Sequence, residues 1–197
     1  NASVLGADAK PGTPEFDLFI KEVHREMTVK GGQKCTAIRR VIVHESLIDE
    51  VQKALSERLS KTVIGDPLLE GVRMGSLAGL EQRDDVIEKV QQLALSQEIV
   101  YGDVHKFEVN GADKTKGAFI SPILFRNDDP FVKTDVHNIE AFGPVSTLIP
   151  YKTIEDAIAI SRLGKGSLVA SIVTNDDQIE KDFVLGSAAY HGRILIL

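Results

Sequence analysis

The sequence predicts an α/β protein in which helices flank a largely parallel, twisted sheet. Strand-like and helix-like segments alternate regularly from residue 145 onwards, and such alternation favours parallel strands joined by crossover helices. A short, uninterrupted apolar run at residues 41–43 is typical of a strand that is buried on both faces. The 197 residues, 43% hydrophobic and 26% charged, are enough for one globular domain with its own core.

The first helix is predicted to begin at Thr13-Pro14, because a hydroxyl residue favours the N-cap and proline favours the first helical position. Apolar residues then recur at helical spacing as far as Met27, and Gly31-Gly32 is a typical helix stop. The apolar run at 41–43 is the next strand. A second helix is predicted to begin at Ser46.

The middle of the chain is less regular. A third helix is predicted at residues 80–95, followed by a short strand at 98–101. Residues 102–116 are polar and contain glycine, which indicates an exposed loop. Residues 119–125 resemble a strand, and Pro122 within them indicates an edge strand or a bend.

The last third carries the alternation from which the fold class was predicted. The predicted elements are, in order, a strand at 145–150, a helix at 154–163, a strand at 168–173, a helix at 177–190 and a strand at 194–197. Both ends of the sequence look cut, since it begins without methionine and stops within an apolar run. We therefore expect a fragment of a longer protein.

Composition and charge exclude several classes of function. The formal net charge of −6 argues against nucleic-acid or anionic-membrane binding, because both need a basic surface. The short basic pair Arg39-Arg40 is expected to be a solvated edge. No apolar run approaches the ~20 residues that span a bilayer, and a single cysteine suits a reducing compartment. We expect a cytoplasmic protein without a metal site, since no histidine has metal-ligand spacing.

Cys35 is the only cysteine and the first candidate for chemistry. It lies in a short, glycine-containing stretch between a predicted helix and a predicted strand, where a thiol can meet a ligand. A thiolate there would be a nucleophile, and Lys34 could lower the pKa of the thiol or could point into solvent. The alternative is that Cys35 is a small, buried, inert side chain.

The segment Glu140-Ala141-Phe142-Gly143-Pro144-Val145 is the second candidate. In an extended backbone, residues two apart lie on the same side, so Glu140 could accept hydrogen bonds from a polyol while Phe142 packs against its ring. The alternative is a turn with one solvated acid and one core phenylalanine. No G-x-G-x-x-G dinucleotide motif lies between a strand and a helix.

Taken together, several segments in a fixed order resemble the aldehyde dehydrogenase superfamily. The nucleophile segment of that family, G-Q-x-C, is similar to Gly32-Gln33-Lys34-Cys35. Its E-x-F-G-P-V segment is similar to residues 140–145, about a hundred residues downstream. Further segments similar to the family are Gly65-Asp66-Pro67, Met74-Gly75-Ser76-Leu77, Gly117-Ala118-Phe119-Ile120-Ser121-Pro122, residues 168–176 and His191-Gly192-Arg193-Ile194.

The resemblance implies a mechanism. Cys35 would attack an aldehyde to give a thiohemiacetal, whose oxyanion is held by the Cys35 backbone N–H and an asparagine side chain. Hydride would pass to NAD or NADP, and water would hydrolyse the resulting thioester with a glutamate as base. Glu140 would bind the hydroxyls of the nicotinamide ribose, and Phe142 would pack beside that ribose.

The resemblance also implies a domain organisation. Residues 1–197 would be the catalytic domain, without the dinucleotide-binding domain that binds most of the cofactor and supplies the base, and without the oligomerisation arm. The full-length protein would be a homo-oligomer, and the fragment alone would be inactive. The stretch from Arg25 to Arg40 is most similar to the branch of the family that oxidises semialdehydes carried as CoA thioesters in aromatic-compound degradation, including that of phenylacetate.

Two other classes of function stay open at this point. One is a cysteine acyltransferase or thioesterase, in which Cys35 works with a spatially adjacent histidine and no redox chemistry occurs. The other is a non-catalytic interaction module that has inherited the fold. A ribose-binding segment would be of no use to a hydrolase, so residues 140–145 favour the dehydrogenase.

Overall fold

A computed structural model describes all 197 residues, and its centre is one seven-stranded sheet. The strands are β1 (Ala2–Leu5), β2 (Arg40–His44), β3 (Glu98–Tyr101), β4 (Ile123–Arg126), β5 (Val145–Tyr151), β6 (Ala170–Val173) and β7 (Ile194–Ile196). The α-helices are α1 (Pro14–Thr28), α2 (Ile48–Ser60), α3 (Leu80–Leu93), α4 (Asp135–Asn138), α5 (Ile154–Arg162) and α6 (Asp177–Ser187). The strand order is β3-β4-β5-β2-β1-β6-β7. Every pair is parallel except β3–β4, which confirms the predicted fold class.

Helices cover both faces of the sheet, and β2 shows how the two cores are divided. Val41 and Val43 pack in a cluster with side chains of α1 and α2. Ile42, between them, packs with side chains of α5 and α6. Successive side chains of a strand point to opposite faces, so an uninterrupted apolar run is what a strand covered on both sides requires. None of the helices combines the length and the apolar composition that a transmembrane helix requires.

Most predicted elements are present, and α1 begins as predicted. The Thr13 hydroxyl accepts a hydrogen bond from the Phe16 backbone N–H at 3.3 Å. The predicted start of the second helix at Ser46 is wrong. A 3-10 turn covers Glu45–Leu47 and α2 begins at Ile48, and it is the His44 imidazole that caps this turn, by accepting a hydrogen bond from the Ser46 N–H.

The strand predicted at 119–125 is shorter than expected, and of the two alternatives that Pro122 raised, an edge strand or a bend, the edge strand is wrong. It begins at Ile123, directly after Pro122, and it lies between β3 and β5 rather than at an edge. Proline has no N–H for the ladder, so its place just before an inner strand removes no strand–strand hydrogen bond. The central strand β1 is not among the predicted elements.

Four neighbouring strands begin at the same edge of the sheet. β5, β2, β1 and β6 are consecutive and parallel, so the segments that lead into them must meet at one edge. The segment before β2 contains Cys35, and the segment before β5 contains Glu140 and Phe142. The sheet topology therefore brings the two candidate segments together.

Candidate active site

A cavity of about 460 Å³ opens where these four segments meet. It is lined by Asn1 from before β1, by Cys35 from before β2, by Glu140 and Phe142 from before β5, and by Ser167 from before β6. The structure thus brings all three residues that the sequence singled out to one cavity. We call residues 32–39 the Cys35 loop and residues 139–144 the Glu140 loop.

The turn that follows α1 directs the Cys35 loop towards the Glu140 loop. Three successive residues, Lys30, Gly31 and Gly32, have positive φ angles of 54°, 59° and 70°. At Gly32 the backbones of the two loops touch, since a Cβ there would lie 2.3 Å from the Gly143 carbonyl oxygen. Only glycine combines this backbone conformation with this close approach.

Cys35 itself is exposed, which excludes the alternative of an inert, buried side chain. Its backbone N–H donates to no acceptor in the protein, so it is free to hydrogen-bond a ligand. Its carbonyl accepts from the Asn1 side-chain amide at 2.9 Å, and the same amide donates to Ala37. On the other side of the loop, the Gln33 side chain accepts from the Ala78 N–H at 2.8 Å. The backbone around the thiol is therefore held from two sides.

Lys34, next to Cys35 in the chain, is paired with a carboxylate. Its ammonium group forms an ion pair with the Glu26 carboxylate on α1, and both side chains are partly buried. The placement in solvent that the sequence allowed is wrong, because the ammonium group is held against α1. The ion pair occupies the lysine and ties the Cys35 loop to α1.

Glu140 and Phe142 keep part of their surface free within the cavity. The side chain of Glu140 is 58% exposed and Phe142 is 39% exposed. An exposed carboxylate can accept hydrogen bonds from two neighbouring hydroxyls, and an exposed ring can pack against a sugar. The nicotinamide ribose of NAD or NADP presents such a pair of hydroxyls, so these two residues fit that part of the cofactor.

Arg39 is the site residue that the sequence did not reveal. Its guanidinium donates to the Gly32 carbonyl at 2.7 Å and to the Gly143 carbonyl. It also approaches the Glu140 carboxylate at 3.4 Å and lies 5.4 Å from the centre of the Phe142 ring. Burial lowers the pKa of Arg39, and the charge of Glu140 opposes that change. The predicted solvated edge is wrong for Arg39, whose side chain is only 10% exposed.

The prediction is also wrong for Arg40, the first residue of β2, which is 4% exposed. Its guanidinium donates to Ile160 and Ser161, two carbonyls in the last turn of α5, where a cation is favourable. Burial lowers the pKa of Arg40 to about 10. No local pattern could have indicated these contacts, since the partners are more than a hundred residues away.

His137 is the one histidine that lines the cavity. Its Nδ1 contacts the Arg40 guanidinium at 3.3 Å and its Nε2 contacts the Pro130 carbonyl at 2.9 Å. Burial, the main cause, lowers the pKa of His137 to about 4, and the charge of Arg40 acts in the same direction. Both ring nitrogens are occupied, so the structure does not offer His137 as a base for Cys35. This weakens the interpretation as a Cys–His hydrolase.

Comparison with known proteins decides the family. The family model described as "Aldehyde dehydrogenase family" matches residues 12–184. This chain belongs to the aldehyde dehydrogenase family. It is 43% identical over 197 residues to the 3,4-dehydroadipyl-CoA semialdehyde dehydrogenase of Aromatoleum evansii, covering 100% of this chain and 38% of that protein. It is 42% identical over 125 residues to Protein MaoC of Klebsiella aerogenes, covering 63% of this chain and 36% of that protein.

Solved structures of aldehyde dehydrogenases share the fold. Betaine aldehyde dehydrogenase of Staphylococcus aureus in complex with NAD+ superposes with a TM-score of 0.85 at 23% identity, covering 100% of this chain and 37% of that one. The aldehyde dehydrogenase of Bartonella henselae gives a TM-score of 0.81 at 23% identity, covering 100% and 38%. The chain therefore spans less than two fifths of the length of these relatives.

Proposed function

We propose that this chain is the catalytic domain of an NAD(P)-dependent aldehyde dehydrogenase that oxidises a CoA-linked semialdehyde to the carboxylic acid. The observation that carries the proposal is that Cys35, Glu140 and Phe142 line one cavity. A nucleophile beside a carboxylate–aromatic pair suits a reaction in which an aldehyde and a ribose-bearing cofactor must meet. Membership of the family supports the same reaction.

In the proposed reaction, the Cys35 sulfur attacks the aldehyde carbon and forms a thiohemiacetal. The Cys35 N–H, which donates to no protein acceptor, would stabilise the oxyanion that develops on the former aldehyde oxygen. Glu140 and Phe142 would bind the ribose of NAD or NADP, which, when bound, supplies the hydride acceptor. The hydrogen bonds from Asn1 and the one accepted by Gln33 hold the backbone that carries these groups.

We further propose that residues 1–197 function within a longer protein. The chain covers 38% of the Aromatoleum relative, which leaves room for a dinucleotide-binding domain with the general-base glutamate and the oxyanion asparagine, and for an oligomerisation arm. In this arrangement the whole protein is a homo-oligomer, and the choice between NAD and NADP is made outside the present residues.

The substrate class rests on one relative. The Aromatoleum protein is named a 3,4-dehydroadipyl-CoA semialdehyde dehydrogenase, and it is 43% identical to this chain over all 197 residues of the chain. We therefore propose a ring-cleavage semialdehyde carried as a CoA thioester, within the degradation of an aromatic compound such as phenylacetate.

An assay of the full-length protein tests the proposal. Free and CoA-linked semialdehydes are offered with NAD+ or NADP+, and reduced cofactor is followed by its absorbance. We expect Cys35→Ala to lower kcat/KM by a factor of about a thousand or more, because the chain has no other thiol. Ser60→Ala, at the C-terminal end of α2 and not among the residues that line the cavity, is the control and should keep the wild-type rate.

Two results would count against the dehydrogenase. If folded protein reduces neither cofactor with any semialdehyde, the redox function is excluded. If it instead hydrolyses acyl-CoA or p-nitrophenyl esters at a rate that the cofactor does not affect, the acyltransferase or thioesterase interpretation replaces it. Retention of function by Cys35→Ala would point to a non-catalytic module.

A further inference from the structure

We propose that Arg39 is a positioning residue that ties the Cys35 loop to the Glu140 loop and orients the Glu140 carboxylate in the cavity. This inference rests on the proposed function, because it assigns Arg39 a role in how the nucleophile and the ribose-binding carboxylate are held together. Its basis is the set of contacts that one guanidinium makes to both loops.

The Cys35 loop and the Glu140 loop meet at a point with little side-chain packing. They approach each other at Gly32 and Gly143, where a Cβ on Gly32 would clash with the Gly143 carbonyl group. Contact between two glycines provides little side-chain packing. Each carbonyl oxygen accepts one backbone hydrogen bond, from Lys34 at Gly32 and from Val145 at Gly143, and keeps a second lone pair that can accept another. Arg39 donates to both of them. A guanidinium is suited to this, since it presents five N–H donors in a rigid plane.

Arg39 also contacts Glu140, in addition to the two carbonyl groups. The Nε of Arg39 lies 3.4 Å from its carboxylate, and the guanidinium also lies near the Phe142 ring. An ion pair with a partner as exposed as Glu140 contributes little to stability. The ion pair instead fixes the orientation of the Glu140 carboxylate, because the buried guanidinium holds the exposed carboxylate on one side. The groups that would bind the ribose are therefore held by the residue that holds the Cys35 loop.

The neighbouring Arg40, which also lines the cavity, makes a different set of contacts. Arg40 is more deeply buried than Arg39 and donates to two carbonyls of α5, but no carboxylate pairs with it. Arg39 differs in reaching a carboxylate that lines the cavity. The contacts to the Gly32 and Gly143 carbonyls already give the Arg39 guanidinium acceptors, so its contact with Glu140 is additional to them.

The experiment uses the full-length protein with Arg39→Met, Arg39→Lys and a matched control, Arg126→Met. Arg126 also forms ion pairs with carboxylates and is 21% exposed, but it lies on β4 away from the cavity. The first measurement is amide hydrogen exchange by mass spectrometry for peptides that cover residues 32–39 and 139–144. The second is steady-state kinetics, with KM for NAD(P)+, KM for the aldehyde and kcat determined separately.

We expect Arg39→Met to accelerate amide exchange in both loops, since it removes the donors that hold both. The KM for NAD(P)+ should rise about five-fold or more, whereas the KM for the aldehyde should change by less than about two-fold. Arg39→Lys should lie between wild type and Arg39→Met, because an ammonium group keeps the charge but not the planar fork. Arg126→Met should match wild type in both loops and in both KM values.

Exchange that stays at the wild-type rate in either loop of Arg39→Met would overturn the proposal, and so would an equal effect of Arg126→Met. A fall in kcat without a change in the KM for NAD(P)+ would also overturn it. If Arg39→Met does not fold, Arg39→Lys is judged by the same criteria. If the wild-type protein reduces no cofactor, the proposed function fails, and the exchange rates of the two loops alone decide the role of Arg39.

Discussion

Arg39 and Arg40 are adjacent in the chain, yet their side chains serve different parts of the fold. Arg39 ends the Cys35 loop and contacts the Glu140 loop, whereas Arg40 begins β2 and contacts the end of α5. In an extended backbone, neighbouring side chains point in opposite directions. Two identical residues can therefore have different roles, and each role depends on what the rest of the fold places on that side.

At the same scale, Gly32 is where the two loops are most closely packed. We predict that Gly32→Ala lowers the free energy of unfolding by more than the cost of a positive φ alone, because its Cβ would meet the Gly143 carbonyl at 2.3 Å. The control is Gly71→Ala, whose φ of +82° carries the same backbone penalty but whose Cβ would meet nothing within 4 Å.

Urea unfolding of the 197-residue chain measures both variants. The control should lose about 1 kcal/mol from the left-handed backbone, and Gly32→Ala should lose about 1–3 kcal/mol more from the forced separation of the loops. Equal losses in the two variants would mean that the loops separate without cost.

At the scale of elements, α5 connects the sheet to the site. The carbonyls of its last turn accept from Arg40, and the residues that follow it, such as Ser167, line the cavity. Its first turn is closed by a capping box, in which the Thr153 hydroxyl accepts from the Asp156 N–H and the Asp156 carboxylate accepts from the Thr153 N–H. The helix is only nine residues long, so its ends contribute a large share of its stability.

We predict that Thr153→Ala lowers the free energy of unfolding by about 1 kcal/mol, since it leaves a helix N–H without its acceptor. Thr153→Ser keeps the oxygen and should stay within about 0.5 kcal/mol of wild type. Thermal or urea unfolding of the same chain measures the difference. A serine variant as unstable as the alanine variant would show that the methyl group matters and that the cap does not.

At the scale of the whole molecule, the site follows from the sheet. Four consecutive parallel strands begin at one edge, and the segments before them supply the cavity lining. Each segment alone supplies only part of the cavity lining. What unites them is that parallel neighbours start at the same side of a sheet.

We predict that the isolated 197-residue chain will not oxidise aldehydes with NAD(P)+, although Cys35 is exposed and should be alkylated by iodoacetamide. The physical reason is that the proposed domain organisation places the general base and most cofactor contacts outside these residues, so that two separate contributions to the rate would be missing. Absorbance of reduced cofactor and mass spectrometry of the Cys35 peptide measure the two properties. Measurable aldehyde oxidation by the isolated chain would contradict the proposed domain organisation.

The α/β class, most helices and strands, and the three residues that meet in the cavity could be predicted from the sequence. Periodicity, capping and short chemical motifs are local properties. They are sufficient to predict α1 and the segment that contains Glu140. Only the tertiary structure decided that Arg39 joins the two loops, that Arg40 is buried beneath α5, that Lys34 pairs with Glu26, and that β4 is an inner strand. Most of these contacts link residues far apart in the chain, and such pairings depend on how the strands are ordered in the sheet, which no local pattern encodes.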